Sequence, residues 1–141
     1  MLKVACEAAL GLRPALPIHG RNHDTPDGAC VRDYIHVSDL AQAHVHALDH
    51  LISGGASGVI NCGTGRGVSV LQVVAALEAE LGRALPTVDA GPRVGDIAYV
   101  VADDSKLRRM LPSWSPKYGD LAAIIRSALS WERQILAPAA A

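Results

Sequence analysis

The 141-residue chain is half apolar and nearly neutral, with 13 Lys and Arg against 14 Asp and Glu and a formal net charge of −1. This length supports one domain with a sizeable core and is short for two. Dispersed charges offer no basic face to nucleic acid, and no apolar stretch approaches the roughly 20 residues that span a bilayer. The first residues also lack a secretory signal pattern, so we expect a cytoplasmic protein without membrane or nucleic-acid partners.

Cys6, Cys30 and Cys62 are odd in number, widely separated and free of CxxC spacing. This pattern predicts reduced thiols that act as small buried apolar side chains, and neither a disulfide frame nor a zinc site.

The first elements in chain order are a helix, a strand and a loop. Residues 1–12 contain good helix formers, and Gly11 with Pro14 would end a helix there. Leu16 to His19 is a short apolar run that predicts a strand, and Pro17 places this strand at a sheet edge or at a strand start. Residues 21–28 carry turn chemistry and predict a loop.

A second extended segment is predicted over residues 31–37, where alternation places Arg32 and Tyr34 on the same side. A helix follows, and Ser38 or Asp39 can accept hydrogen bonds from the free amides of its first turn. The apolar residues that recur on one face of this helix are Ala41, Val45, Leu48 and Ile52.

Residues 59–62 predict a compact buried strand that runs into a glycine-rich loop at 63–67. The next helix has the clearest start signal, because Ser69 and Gln72 have the spacing of a capping box, and Gly82 is placed to close it. Its apolar stripe consists of Val70, Val73, Val74, Leu77 and Leu81.

Two further extended segments, 86–89 and 99–102, and two helices complete the chain. Asp103 can cap the first of these helices, and the sum is a small mixed α/β lobe of short strands and helices. The apolar residues are Leu107, Met110 and Leu111 in the first helix, and Leu121, Ile124, Ile125, Ala128 and Trp131 in the second.

Two motifs suggest a cofactor or a metal, and for each a structural role is favoured. The loop from Gly63 to Gly67 lacks the third glycine of a dinucleotide-binding loop and the acidic residue about 20 positions on, so a tight turn is favoured. His46 and His50 lie one helical turn apart with His44 nearby, but no third metal ligand adjoins them. A solvated helix face is favoured over a metal site.

Arg32 is a stronger functional candidate. Its guanidinium group suits an oxyanion that needs two parallel hydrogen bonds, while the alternative is an internal pair with Asp33 or Asp39. The residues alone leave both possibilities open. A second loop carries Arg93 and Asp96, and taken alone it favours a polar turn. Beside Arg32 it becomes a binding candidate, because two arginines on separate loops can clamp a diphosphate from two sides, and an aspartate can accept from ribose hydroxyls.

These segments together resemble the UDP-glucose 4-epimerases of the extended short-chain dehydrogenase/reductase family. The resemblance implies that residues 1–136 form the C-terminal, sugar-nucleotide-binding lobe of such an enzyme, without its Rossmann half, and that residues 137–141 form a frayed tail. The matching segments are Leu16–Gly20, Asp24–Gly28, Val31–Ala43 as the strongest, Asn61–Gly65 with Ser69 and Val70, and Arg93–Lys106.

The same resemblance implies the roles of six residues. Arg32 and Arg93 would hold the diphosphate of UDP, and Asp96 would contact its ribose. At position 19 the family commonly has an aromatic ring, and an imidazole can still stack, more weakly. The residues that would border the uracil are Pro17, Ile18 and His19.

The enzymes that the chain resembles oxidise the sugar with NAD and use a Tyr-x-x-x-Lys motif. Here the three tyrosines are followed four residues later by Ser38, Asp103 and Ala122, so the motif is absent. The resemblance therefore implies a UDP-sugar ligand, NAD in the complete enzyme but not held by this chain alone, and an N-terminal cofactor domain as partner.

Other functions stay open at this point. The chain could be a non-catalytic UDP-sugar-binding module, or an interaction domain that binds no ligand. In either case an uncovered apolar face is expected, and homo-oligomers could form through it.

Overall fold

The computed structural model describes residues 1–137, so residues 138–141 of the predicted tail lie outside the described residues. The predicted mixed α/β lobe is confirmed. No helix within residues 1–137 combines the length and the apolar character needed to cross a membrane. The helices are α1 (Leu2–Ala9), α2 (Val37–Ile52), α3 (Val70–Leu81), α4 (Ser105–Met110) and α5 (Leu121–Leu136), and the strands are β1 (Leu16–His19), β2 (Val31–Asp33), β3 (Gly67–Ser69), β4 (Thr87–Ala90) and β5 (Tyr99–Val100).

The strands form two small sheets. One consists of β1 and β4 in parallel, and the other has the order β3-β2-β5, with β2 antiparallel to β3 and parallel to β5. Pro17 therefore lies in a strand with one neighbour, as its missing N–H predicts. The central position of β2 fixes the direction of the side chains that it carries.

The main core lies between α1, β1, α3 and α5. The capping box of Ser69 and Gln72 is confirmed and starts α3, while Gly82 ends it with φ of 65°. From the predicted stripe, Val73 and Leu77 are fully buried. The buried members of the main core are Ala5, Cys6, Ala8, Ala9, Leu16, Ile18, Val73, Leu77, Leu85, Ile125 and Leu129.

A second group of buried residues, the α2 cluster, consists of Ala43, Leu107, Leu111 and Trp114. It is tied to the start of α2 by polar contacts. The buried carboxylate of Asp39 accepts hydrogen bonds from the backbone amides of residues 117 and 118, both at 2.9 Å. The indole of Trp114 donates to the carbonyl of Asp39 at 3.1 Å.

The predicted caps of α2 are wrong. The helix begins at Val37, and the ring of His36 accepts from the amide of Ser38 at 3.1 Å. Asp39 cannot cap the helix because both of its carboxylate oxygens bind a distant segment of the chain. The extended segment correspondingly stops at Asp33 rather than at Val37.

The apolar face of α2 and the predicted strand after it also differ from expectation. Val45, Leu48 and Ile52 are 50%, 57% and 75% exposed, because the helix packs through its opposite side at Ala43. Residues 59–62 form no strand and Val59 is 85% exposed. Within residues 1–137 this segment has no neighbouring strand with which to pair.

The C-terminal helices follow their predicted positions with two changes. Asp103 precedes α4 and accepts from the amide of Ser105, which lowers the pKa of its carboxyl group, although Asp104 is the residue that adjoins the helix. Ile124 and Ile125 of α5 are buried as the pattern predicts, whereas Trp131 is 60% exposed.

Candidate ligand-binding cleft

One cleft of about 440 Å³ brings together residues from four separate parts of the chain. It lies beside β1 and β2, the loop after β4 forms one wall, and α1 with the start of α3 supplies apolar surface. Five of the six predicted site residues line it, namely Pro17, His19, Arg32, Arg93 and Asp96.

Arg32 lies on the central strand β2 and is partly buried. Its Nη1 donates to the carbonyl oxygen of Val31 at 2.8 Å, and within residues 1–137 it forms no salt bridge. The remaining donors of the guanidinium group are therefore available to an oxyanion in the cleft.

The two carboxylates that could have paired with Arg32 bind elsewhere. Asp33 accepts from the amide and hydroxyl of Thr64, from the amide of Gly65 and from the amide of Ala102, at 2.6 to 3.3 Å. Asp39 is occupied by the backbone of residues 117 and 118. The internal-pair alternative for Arg32 is thereby excluded within residues 1–137.

The contacts of Asp33 also explain the glycine-rich loop. The amides of Thr64 and Gly65 in this loop donate to the carboxylate of Asp33, so they are not arranged around a phosphate. A Cβ atom at Gly63 would lie 2.5 Å from Asp33 Oδ2, so glycine is required there. The favoured structural role of this loop agrees with these contacts.

Arg93 and Asp96 lie on an exposed turn between β4 and β5. The amide of Asp96 donates to the carbonyl oxygen of Arg93 at 3.2 Å, and Gly95 has a φ of +88°, which favours glycine. Within residues 1–137 the guanidinium of Arg93 has no hydrogen-bond partner. Its N–H donors are therefore available to a ligand in the cleft.

Strand alternation separates the three predicted residues of β1. Pro17 and His19 face the cleft, and His19 Nδ1 lies 3.4 Å from the carbonyl oxygen of Gly91. Ile18 points the other way and is 1% exposed in the main core. Its predicted contact with a base is therefore corrected to a core position.

The lining of the cleft also includes Arg13, Cys30 and Tyr34, which the sequence analysis did not assign to a binding site. Alternation with Arg32 was the signal that could have identified Tyr34. Its Oη is buried without a hydrogen-bond partner among residues 1–137, and burial raises the pKa of its phenol. Arg13 is ion-paired with Glu7, and this contact lowers the pKa of that carboxyl group. No local pattern marks either Arg13 or Cys30.

The histidines of α2 bind different partners. His46 Nδ1 lies 3.1 Å from the hydroxyl of Ser113, and His50 Nε2 lies 3.3 Å from the carbonyl oxygen of Ala56. In the part of the chain that the structure describes, no group of three or more His, Cys, Asp or Glu side chains is placed to hold a metal ion.

Comparison with known proteins relates the chain to one group of enzymes. Residues 3–63 match the NAD dependent epimerase/dehydratase family. Over 135 residues, 96% of this chain, the sequence is 54% identical to a UDP-glucose 4-epimerase of Azospirillum brasilense, of which it covers 38%. The chain thus spans about two fifths of the length of the curated relatives that it matches.

Solved structures give the same relationship. The UDP-glucose 4-epimerase of Stenotrophomonas maltophila, with bound NAD and formylated UDP-arabinopyranose, has a TM-score of 0.90 and 38% identity, with 96% of this chain and 40% of that chain covered. The enzyme of Bifidobacterium longum in complex with NAD+ and UDP has a TM-score of 0.85 and 38% identity, with 95% and 39% covered. The fold described above is therefore shared with a part of these proteins.

Proposed function

We propose that the chain belongs to the NAD dependent epimerase/dehydratase family, whose model matches residues 3–63, and that it supplies the UDP-binding part of a UDP-glucose 4-epimerase. Such an enzyme interconverts UDP-glucose and UDP-galactose. One observation carries the assignment of the site: Arg32 and Arg93 line the same cleft, and neither has a carboxylate partner within residues 1–137.

In this proposal the diphosphate of UDP lies between Arg32 and Arg93. Arginine presents two parallel N–H donors that match the spacing of phosphate oxygens, and such charge-assisted hydrogen bonds are stronger than neutral ones. Asp33 positions Arg32 indirectly, because its hydrogen bonds with Thr64 and Ala102 hold β2 against its neighbours. Arg32 thus belongs to a preorganised strand, and Arg93 belongs to an exposed turn.

The other residues of the cleft bind the nucleoside. Asp96 accepts hydrogen bonds from ribose hydroxyl groups, and Pro17 with His19 packs against the uracil. Tyr34 adds a hydroxyl group, because its buried Oη has no other partner among residues 1–137. The hexose extends from the diphosphate and is contacted partly by residues outside this chain.

NAD would take a hydride from the sugar and return it in the complete enzyme, but the glycine-rich loop of this chain is not arranged to hold that cofactor. The amides of the glycine-rich loop donate to Asp33, and the sequence contains no Tyr-x-x-x-Lys motif. No step of the redox reaction is therefore assigned to residues of this chain. By itself the chain is a UDP-sugar-binding module without turnover, and an N-terminal cofactor domain completes it in the cytoplasm.

Calorimetric titration of the chain with UDP tests the proposed site. We expect Arg32→Ala and Arg93→Ala each to weaken UDP binding about 10- to 100-fold, since a hydrogen bond to a charged group contributes about 1.5–3 kcal/mol. Uridine, which lacks the diphosphate, should bind the variants and the wild-type chain equally.

Arg126→Ala is the matched control, because Arg126 is an exposed arginine of α5 outside the cleft. It should leave UDP affinity unchanged. Undetectable UDP binding by the wild-type chain, or equal losses for UDP in all three variants, would contradict the proposal.

A further inference from the structure

His19 is held in the cleft with one ring nitrogen engaged and the other free. Strand β1 places its side chain on the cleft side, and pairing of His19 with Ala90 of β4 fixes its backbone. Its Nδ1 lies 3.4 Å from the carbonyl oxygen of Gly91. Within residues 1–137 its Nε2 has no hydrogen-bond partner and is not fully buried. The far edge of the ring is therefore accessible to a ligand.

The contact with Gly91 decides which ring nitrogen of His19 carries the hydrogen. A backbone carbonyl oxygen accepts hydrogen bonds and cannot donate them, so Nδ1 is the donor in this contact. In a neutral imidazole the other nitrogen then has a free lone pair and can only accept. Nε2 of His19 therefore presents a hydrogen-bond acceptor to the cleft.

The other polar side chains of the cleft leave this acceptor to the ligand. Arg32 donates to the carbonyl oxygen of Val31, and within residues 1–137 no hydrogen bond joins Arg32 or Arg93 to the His19 ring. The carboxylate of Asp96 accepts hydrogen bonds and cannot donate to Nε2. Among the described residues of the cleft, the partner for Nε2 is therefore an N–H or O–H group of the bound molecule.

The position of His19 is also fixed relative to the proposed diphosphate site. Gly91, which accepts from the ring, lies two positions before Arg93, so the contact ties β1 to the turn that carries this arginine. Arg32 lies on a different strand, β2, and lines the same cleft. A nucleotide whose diphosphate is bound by the two arginines can thus place its base against β1, where His19 faces the cleft.

We propose that Nε2 of His19 accepts a hydrogen bond from the N3–H group of the base and thereby makes the cleft selective for uridine over cytidine nucleotides. Uracil carries a hydrogen on N3, whereas N3 of cytosine carries a lone pair. Cytosine would therefore place a second acceptor opposite Nε2 and leave both without a donor. This inference rests on the proposed function and names the side chain that selects the base.

Calorimetric titration of the wild-type chain with UDP, CDP and N3-methyl-UDP tests this selection. The three nucleotides share the same diphosphate, but CDP and N3-methyl-UDP have no hydrogen on N3. We expect UDP to bind at least about tenfold more tightly than either, which is a typical effect of leaving a hydrogen-bonding group of a site unpaired.

His19→Phe keeps an aromatic ring and removes both ring nitrogens. It should reduce the preference for UDP over CDP to less than about threefold, because packing of a ring does not distinguish N3–H from a lone pair. His44→Phe is the matched control. The Nδ1 of His44 also lies beside a backbone carbonyl, 2.8 Å from that of Leu40, but His44 is exposed on α2 outside the cleft. This variant should keep the wild-type preference.

The position of the ring hydrogen can be measured without any variant. Nitrogen NMR spectra of the isotope-labelled wild-type chain with bound UDP should show a hydrogen on Nδ1 of His19 and none on Nε2. A hydrogen on Nε2 would overturn the inference, because that nitrogen could then no longer accept from the base.

Equal affinities of the wild-type chain for UDP and CDP would also overturn the inference, as would a preference for UDP that His19→Phe retains in full. These results leave the test of the arginines unaffected. A chain whose UDP binding depends on Arg32 and Arg93 but not on the base keeps the proposed function and loses this inference. Undetectable UDP binding by the wild-type chain would remove both.

Discussion

The main core and the α2 cluster contain similar apolar residues but are covered to different extents. In the main core, α1, α3 and α5 surround β1, and Val73, Leu77 and Ile125 have no exposed surface. In the α2 cluster four buried residues lie under a helix whose other side is open to solvent. The main core is therefore enclosed by elements of this chain, whereas the α2 cluster is covered by α2, whose outer side is exposed to solvent.

The two regions also differ in what holds them together. The main core depends on interlocking side chains, which are stabilised in proportion to the apolar area that they bury. The α2 region depends more on the carboxylate of Asp39, which binds the backbone amides of residues 117 and 118. Buried hydrogen bonds can therefore keep α2 in place while its apolar stripe stays uncovered.

Truncation of a leucine in the main core gives the largest expected effect, and a leucine of the α2 cluster provides the comparison. Leu77→Ala should lower the free energy of unfolding by about 3–5 kcal/mol, because a rigid, fully enclosed site collapses little around a cavity. Leu107→Ala is expected to cost about 2–3 kcal/mol, because the α2 cluster can relax toward its open side. Urea denaturation measures both, and a larger loss for Leu107→Ala would contradict the comparison.

Loss of the Asp39 carboxylate should destabilise the α2 region by an intermediate amount. Asp39→Ala leaves two amides at residues 117 and 118 without their acceptor, and we expect a cost of about 2–4 kcal/mol. Asn at this position keeps one acceptor oxygen and should lose about half as much. Asp49→Ala, at an exposed position of the same helix, should have almost no effect in the same denaturation assay. A neutral Asp39→Ala would show that packing alone holds α2.

The smallest expected effect on the free energy of unfolding comes from ionisation of the Cys6 thiol at high pH. Burial is the main cause that raises the pKa of Cys6 from its ordinary value of 9.0 to about 11. The unfolded chain ionises this thiol first, so its contribution to the free energy of unfolding should fall as pH rises from about 9 to about 11. The difference between the wild-type chain and Cys6→Ala over this range isolates that contribution, and a parallel pH dependence of both would contradict it.

The rates at which Cys6 and Cys62 react with a thiol reagent compare the main core with the α2 cluster directly. Cys62 is partly exposed beside the α2 cluster, and Cys6 is fully enclosed in the main core. At pH 8 a thiol reagent should modify Cys62 much faster than Cys6, since access and thiolate content both favour it. Equal rates would mean that the main core opens as readily as the α2 region.

Several features of the fold and of the cleft were determined by the sequence because their causes are local. The capping box of Ser69 and Gln72, the left-handed glycine that ends α3 and the strand at Leu16–His19 each depend on residues within a few positions of one another. Side-chain chemistry left Arg32 open between an oxyanion and an internal pair, and the resemblance implied that Arg32 and Arg93 hold a diphosphate; the cleft contains both residues. Five of the six predicted site residues line the cleft, so most of the candidate site could be predicted before the structure was known.

Only the tertiary structure decided whether Arg32 pairs with a carboxylate of the chain or is available to a ligand. Asp33 meets Thr64 across 31 positions and Asp39 meets Lys117 across 78, so no local pattern shows that neither carboxylate is available to Arg32. Burial, like these long-range hydrogen bonds, cannot be predicted from a local pattern of residues. Periodicity shows that α2 has an apolar stripe, and alternation shows that residues 59–62 suit a strand, but burial and pairing require a second surface. Whether that surface is present depends on distant residues, because side chains become buried only through contact with another element.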